Sequence, residues 1–272
     1  MMQRIWALAL LTFKEGMRDR ALYGIFLFSL MVMALGFVVV GFFMRELSKV
    51  ASDFNLSALT FGGLLLTLFV NNQLLAKDID KRTIYIVLSR PYGRGEYIVS
   101  KYLGLMLLTS AAIFMLAVCA SAGVGLSYLR YPAYFESFSF KIFLLAIFGE
   151  FLMLAVLNAV VVFFASFSSS AFLTLLFSTA VYIVGETIET VVRFLKTQAQ
   201  STEVPMAAAV EALLNVCRYI IPNLSVFDLK VQAAHGMAVS LSYVLFITFY
   251  GMASVLVLLF LASQIFKGRE LG

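Results

Sequence analysis

Long apolar stretches alternate with short charged ones along this 272-residue sequence. Six of the apolar stretches reach the length of about 20 residues that a helix needs to cross a bilayer. They run over about 21–44, 56–76, 102–126, 142–167, 171–192 and 237–266. Residues 3–19 follow a different pattern, with Ile5, Trp6, Ala9, Leu10, Phe13 and Met17 recurring on one helical face and Arg4, Lys14 and Arg18 flanking it. That pattern predicts an amphipathic elbow helix in the head-group plane, anchored by Trp6. Charged residues Lys14, Glu15, Arg18, Asp19 and Arg20 follow with no small-residue cleavage site, so the segment is expected to be retained rather than removed as a signal peptide. Between spans 5 and 6 lies a polar stretch, 193–236, on the outer side. Within it Pro205 is placed to start a helix, Met206, Val210, Leu213, Leu214, Cys217 and Ile221 form its apolar face, and Pro222 ends it. The predicted fold class is all-α: a polytopic membrane protein with six transmembrane helices, an N-terminal interfacial helix and an outer helical segment, in one domain over 1–272.

Composition sharpens this reading. The chain is 62% hydrophobic and 13% charged, with mean hydropathy +0.98. A water-soluble domain cannot hide that much apolar surface behind so few charges. The net charge of +5 is no signal for nucleic acid, because the basic residues gather at span ends, where they set topology and meet anionic lipid head groups. Of the 20 Lys and Arg residues, 12 fall on one side of the six spans and 8 on the other. The richer side is read as cytoplasmic, with both termini on it. Cys119, Cys217 and the single histidine, His235, make no metal-binding cluster. In the outer loop from Tyr128 to Lys141, the residues Tyr128, Tyr131, Tyr134, Phe135, Phe138 and Phe140 read as an interfacial aromatic belt.

Two places could carry function. One is the loop 77–101, the densest run of charge, which includes Asp78, Asp80, Arg82, Arg90, Pro91, Arg94 and Glu96. It lies between spans 2 and 3 on the side read as cytoplasmic. The other is Glu150, beside Gly149 and well inside span 4. A charge at that depth is costly, about 2.5–3.5 kcal/mol on an insertion scale, and such residues usually face a bundle interior and mark function or a polar pair. Asn158 on the same span, and Asn71 or Asn72 on span 2, are the expected neighbours. Gly62-Gly63 in span 2 would let another helix approach closely.

The run Lys77-Asp78-Ile-Asp80-Lys-Arg82-Thr83, then Leu88-Ser89-Arg90-Pro91-Tyr-Gly-Arg94-Gly-Glu96, then Lys101-Tyr-Leu-Gly104 resembles the ABC-2 family of ABC-transporter membrane subunits. Together with the elbow helix and the outer segment bearing Ile221-Pro222-Asn223 and Phe227-Asp228, the resemblance covers essentially the whole chain. It is narrower still toward permeases grouped with multicopper-enzyme maturation systems. Where that family often has an acidic run ending in Gly-Thr, this chain has Arg82-Thr83. The resemblance implies a homodimer or pseudo-dimer of permeases in a bacterial inner membrane, served by two separate ATPase subunits that bind ATP and Mg. It further implies that the loop after span 2 is a coupling element seated on the ATPase, with Asp78, Asp80, Arg82, Arg90, Pro91, Arg94 and Glu96 as its contact residues. The chain has no G-x-x-x-x-G-K-[ST] phosphate loop, so it is not expected to bind ATP in that mode or to be an enzyme by itself.

Two other readings stand beside the exporter. A non-transporting anchor would pass ATPase motion to a periplasmic partner. An intramembrane enzyme would need a catalytic pair at membrane depth, and the spans offer Glu150 and serines without a His–Asp or Asp–Asp pair.

Overall fold

The computed structural model describes residues 2–41, 46–80, 93–136, 138–168, 170–201 and 220–268, with side chains at all of these except 40, 78–80 and 195–201. The described residues are helical with no strand. Their helices are α1 (Met2–Met17), α2 (Arg20–Val40), α3 (Leu47–Leu65), α4 (Asn72–Asp80), α5 (Arg94–Arg130), α6 (Phe140–Phe167), α7 (Ala171–Ser201), α8 (Lys230–His235) and α9 (Leu241–Gly268). A π-helical turn, Leu66–Asn71, joins α3 to α4 without a break. Six helical stretches are long and apolar enough to cross a membrane, and the chain is a multi-pass membrane protein. Because the six alternate in direction, α1, the end of α4, the start of α5, the α6–α7 turn and the end of α9 share one end of the bundle, called here the α1 end. The end of α2, the starts of α3, α6 and α9, the end of α5 and residues 220–236 share the far end.

Helix α6 is buried along most of its length, whereas α2, α7 and α9 stand at the periphery. Their outward faces present Leu27, Leu35, Phe172, Leu176, Phe249, Leu256 and Phe260, all well exposed. In water such a surface would be a liability; in hydrocarbon it is the ordinary solvent contact. Since lipid removes the hydrophobic drive between helices, close approach has to come from small residues. A Cβ added at Gly62 would lie 2.3 Å from Ser29 Oγ of α2, and one at Gly63 would lie 2.4 Å from Leu154 Cδ1 of α6. This is the close approach that Gly62-Gly63 predicts.

Element boundaries depart from the sequence reading where amphipathic ends continue a span. Span 2 begins at Leu47, nine residues before the predicted Leu56, because Leu47, Ser48, Ala51, Ser52 and Asn55 form a buried face. Lys49 and Asp53, read as loop, are therefore helical. Helix α5 starts at Arg94 rather than Tyr102 and runs to Arg130, so Arg94, Glu96 and Lys101 belong to a helix and not to a loop. Helix α2 ends at Val40 and α9 begins at Leu241, each shorter than the apolar run that suggested it. Helix α7 continues past Val192 to Ser201.

Helix α1 is the most instructive difference. Its fully buried residues are Leu8, Ala9, Thr12 and Gly16, while Ile5, Leu10, Phe13 and Met17 of the predicted apolar stripe are half-buried, Phe13 and Met17 against the core. Trp6 and Leu11 are more than half exposed. The small face wins because α1 lies close against α5: a Cβ at Gly104 would sit 2.7 Å from the Ala9 carbonyl oxygen and 2.6 Å from Thr12 Cβ. At the far end, Phe135 is buried, with its ring edge-on to Tyr128 at 5.7 Å and to Phe138 at 5.6 Å. The aromatic loop is thus partly a packed cluster, while Tyr128 and Tyr134 remain exposed. The predicted outer helix 205–221 lies outside the described residues but for its last two positions.

Candidate functional site

At the far end the chain turns back into the bundle after Pro222. The Asn223 N–H donates to the Tyr250 hydroxyl at 2.8 Å, and the Leu224 N–H donates to the Gly185 carbonyl at 2.9 Å. A single 3₁₀ turn, Ser225–Phe227, follows. Its Phe227 is fully buried, its ring tilted against that of Tyr250 at 5.9 Å. The Tyr243 hydroxyl donates to the Val226 carbonyl at 2.7 Å. Glycine makes this re-entry feasible: a Cβ at Gly149 would stand 2.3 Å from the Phe227 carbonyl oxygen, and one at Gly185 would stand 2.7 Å from the Pro222 carbonyl oxygen. Helix α8 then packs on α3 and α6. It ends at Gly236, whose φ of 63° is the left-handed geometry that lets the Met237 N–H reach the Gln232 carbonyl at 3.0 Å.

This re-entry delivers a counter-charge to Glu150. Lys230 Nζ lies 3.1 Å from Glu150 Oε1, with the glutamate side chain 2% exposed and the lysine 19%. The Asp228 carboxylate accepts from the Lys230 backbone N–H at 2.9 Å, just ahead of α8. Glu186 of α7 adds a third negative charge to the surroundings of the lysine. Burial pushes the Lys230 ammonium down, but Glu150, Asp228 and Glu186 outweigh it and hold its pKa above the ordinary lysine value. The second Glu150 oxygen, Oε2, is buried without a hydrogen-bond partner. Such a pair is strongly dependent on both members, because either charge alone would be buried and unmatched.

The asparagines expected around Glu150 form a separate site, displaced toward the α1 end. Asn71 Nδ2 donates to Asn158 Oδ1 at 2.6 Å and to Thr109 Oγ1 at 3.1 Å, and Asn158 Nδ2 donates to Thr109 Oγ1 at 3.0 Å. All three side chains are fully buried. Asn158 is eight residues from Glu150 on α6, which at about 1.5 Å per residue puts it roughly 12 Å further along the helix. The two share a helix but not a contact. Asn72 points elsewhere: its Nδ2 donates to the Ala171 carbonyl of α7 at 2.8 Å. The triad ties α5 and α6 to the π-helical turn that ends at Asn71. Thr67 Oγ1 in that same turn is buried without a partner. π-turns inside helices recur at functional positions.

At the α1 end, Lys77 of α4 pairs with Glu15 of α1. Arg94 Nη1 donates to the Lys267 carbonyl oxygen of α9 at 2.6 Å. Glu96 accepts from the Gly93 N–H at 3.4 Å and so caps its own helix. Tyr97 stacks on Phe266 at 5.7 Å, and the buried Lys101 lies over the Tyr97 ring at 5.9 Å. Asp78 and Asp80 are on α4, with side chains outside the described set. Arg82, Arg90 and Pro91 lie outside the described residues. Of the seven proposed contact residues, Arg94 thus ties the start of α5 to the end of α9, and Glu96 caps α5.

Sequence reasoning missed Lys230, Asp228, Thr109 and Glu15 as partners. A signal existed for the first two: Asp228 and Lys230 are the only charges in the otherwise apolar or neutral run Leu224–Ala234, and an intramembrane Glu150 calls for a cation. Thr109 carried no signal, since threonine is common in membrane helices. Among the described residues no group of His, Cys, Asp and Glu could hold a metal ion. No family model matches the chain, and no curated protein matches it.

Proposed function

We propose that this chain is the membrane subunit of an ABC-type exporter, coupling ATP hydrolysis by a separate ATPase subunit to movement of a substrate across or out of the membrane. One observation carries the reading. The charged segment 81–92 leaves α4 and enters α5, and both helices are fastened to α1: α4 through Lys77–Glu15, α5 through the close Gly104 contact with Ala9 and Thr12. Arg94 adds the end of α9. A push on that segment from the cytosol would move four helices together as a lever rather than bend one loop. The family resemblance of the sequence supplies the partner: two copies of an ATPase that binds ATP and Mg, with a second copy of this chain, in a bacterial inner membrane.

The test is affinity purification of the tagged chain from native membranes, followed by ATPase assay of the eluate. The expected result is a stoichiometric ATPase that is lost when Arg90 and Arg94 are reversed to Glu. An eluate without ATPase under gentle detergent overturns the reading. A second reading rests on the far-end re-entry, which packs on α6, the helix that spans both ends of the molecule: a non-transporting anchor that passes the stroke to a periplasmic partner. ATP-driven release of labelled substrate from vesicles separates the two.

A further inference from the structure

A crevice opens between α2, α3 and α5 at the α1 end. Its walls include Met17, Leu22, Tyr23, Phe26, Leu108 and Leu116, around a hollow of about 90 Å³. The lining is almost wholly apolar. Gly62, Gly63, Ala111 and Ala112 also line it; side chains this small leave a hollow where larger ones would fill it. Its length matches one half of a bilayer. From Leu108 to Leu116 along α5 is about 12 Å at 1.5 Å per residue, and half of a hydrocarbon core is about 15 Å.

The mouth is basic. Wall residues Met17 and Leu22 bracket the α1–α2 junction, which carries Arg18, Asp19 and Arg20, with Lys14 one turn earlier. Lys14, Arg18 and Arg20 are all exposed. Of the nearby acids, Glu15 is matched by Lys77, and Asp19 is engaged in accepting from the Ala21 N–H at 2.9 Å. Tyr23 fixes one lip, since its hydroxyl donates to the Met17 carbonyl at 2.9 Å. A cationic rim at head-group level above an apolar slot of one-leaflet depth fits one kind of ligand.

We infer that the α2–α3–α5 crevice is a binding site for a single anionic phospholipid, one acyl chain seated in the slot and the phosphate held by Arg18 and Arg20. The site does not depend on an ATPase partner. The lipid is drawn in by burial of its chain and selected by charge.

The test uses the purified full chain in mild detergent with an equimolar mixture of phosphatidylglycerol and phosphatidylcholine, and native mass spectrometry counts the lipid retained. The expected preference for phosphatidylglycerol is about tenfold or more, from two arginines near the phosphate. Arg18→Gln/Arg20→Gln is expected to bring the preference close to one. Ala112→Phe fills the slot and is expected to lower retention of both lipids, with Ala111→Leu as a milder second variant should the first misfold. Undiminished retention in both slot-filling variants, or an intact preference without the arginines, overturns the inference. So does efficient disulfide formation between copies at Met115→Cys, which would place a second chain over the face.

Discussion

Removing the Lys230 ammonium leaves Glu150 buried inside α6 without a counter-charge. Lys230→Met is therefore expected to destabilise the fold by about 3–5 kcal/mol, the usual result of breaking one side of a buried pair. The double variant Glu150→Leu/Lys230→Met should recover most of that loss, because the desolvation of both charges disappears with them. The thermal unfolding midpoint in detergent reads both, and a double variant no more stable than the single would show that charge balance is not what the pair supplies. The raised pKa of Lys230 fixes the pH dependence. Its contribution is complete below the ordinary lysine value and is lost as pH rises through the elevated folded-state value. Wild type should then hold its stability from neutral to mildly alkaline pH and lose it only in strong alkali, a loss absent from Lys230→Met. Two turns further along α6, toward the α1 end, Asn158→Leu removes two interhelical hydrogen bonds. Membrane hydrogen bonds average about 0.6 kcal/mol and reach about 1.7, so a loss of about 1–2 kcal/mol is expected in the same unfolding assay.

At the scale of elements, the contact between α1 and α5 depends on what is absent from Gly104. Any side chain there meets the Ala9 carbonyl, which is backbone and cannot rotate away. Gly104→Leu is expected to lever α1 off the bundle, at about 1–3 kcal/mol for an overpacked contact. Faster protease cleavage near Arg18 would record it. Gly125 on the same helix has open space around it, so Gly125→Ala should stabilise by up to about 1 kcal/mol from helix propensity alone. Equal effects at the two glycines would remove the close-approach argument. The same logic explains why Ala9, Thr12 and Gly16 are more deeply buried in α1 than Phe13 and Met17: the large apolar residues set the period, but the closest contact with α5 selects the small ones.

For the whole molecule, six crossings place the α1–α2 junction, the α6–α7 turn and the end of α9 on one side. In a chain with Cys119 and Cys217 replaced, cysteines at Lys14, Ser170 and Lys267 should react with an impermeant thiol reagent from one face of the membrane. Cysteines at Glu46 and Lys141 should react from the other. A mixed pattern would break the six-span arrangement. The excess of basic residues predicts that the first face is the cytosolic one, and this labelling tests that expectation independently of any partner.

The sequence by itself determined the class of molecule and the count of spans, because about 20 consecutive apolar residues have only one stable way to satisfy their backbone in lipid. It also pointed to Glu150, Asn71 and Asn158 as buried polar positions, since polarity inside a span is conspicuous without any structure. Span ends were less legible: at Leu47 and Arg94 the helix continues through amphipathic turns whose buried faces depend on neighbours. Only the tertiary structure decided which polar group meets which. Glu150 is matched by Lys230 from a stretch 80 residues away, and Asn158 by Asn71 and Thr109 on two other helices. Periodicity along one helix sets which residues share a face, whereas the pairing across helices is set by where backbones can approach. Here that is fixed by the small residues at Gly62, Gly104, Gly149 and Gly185.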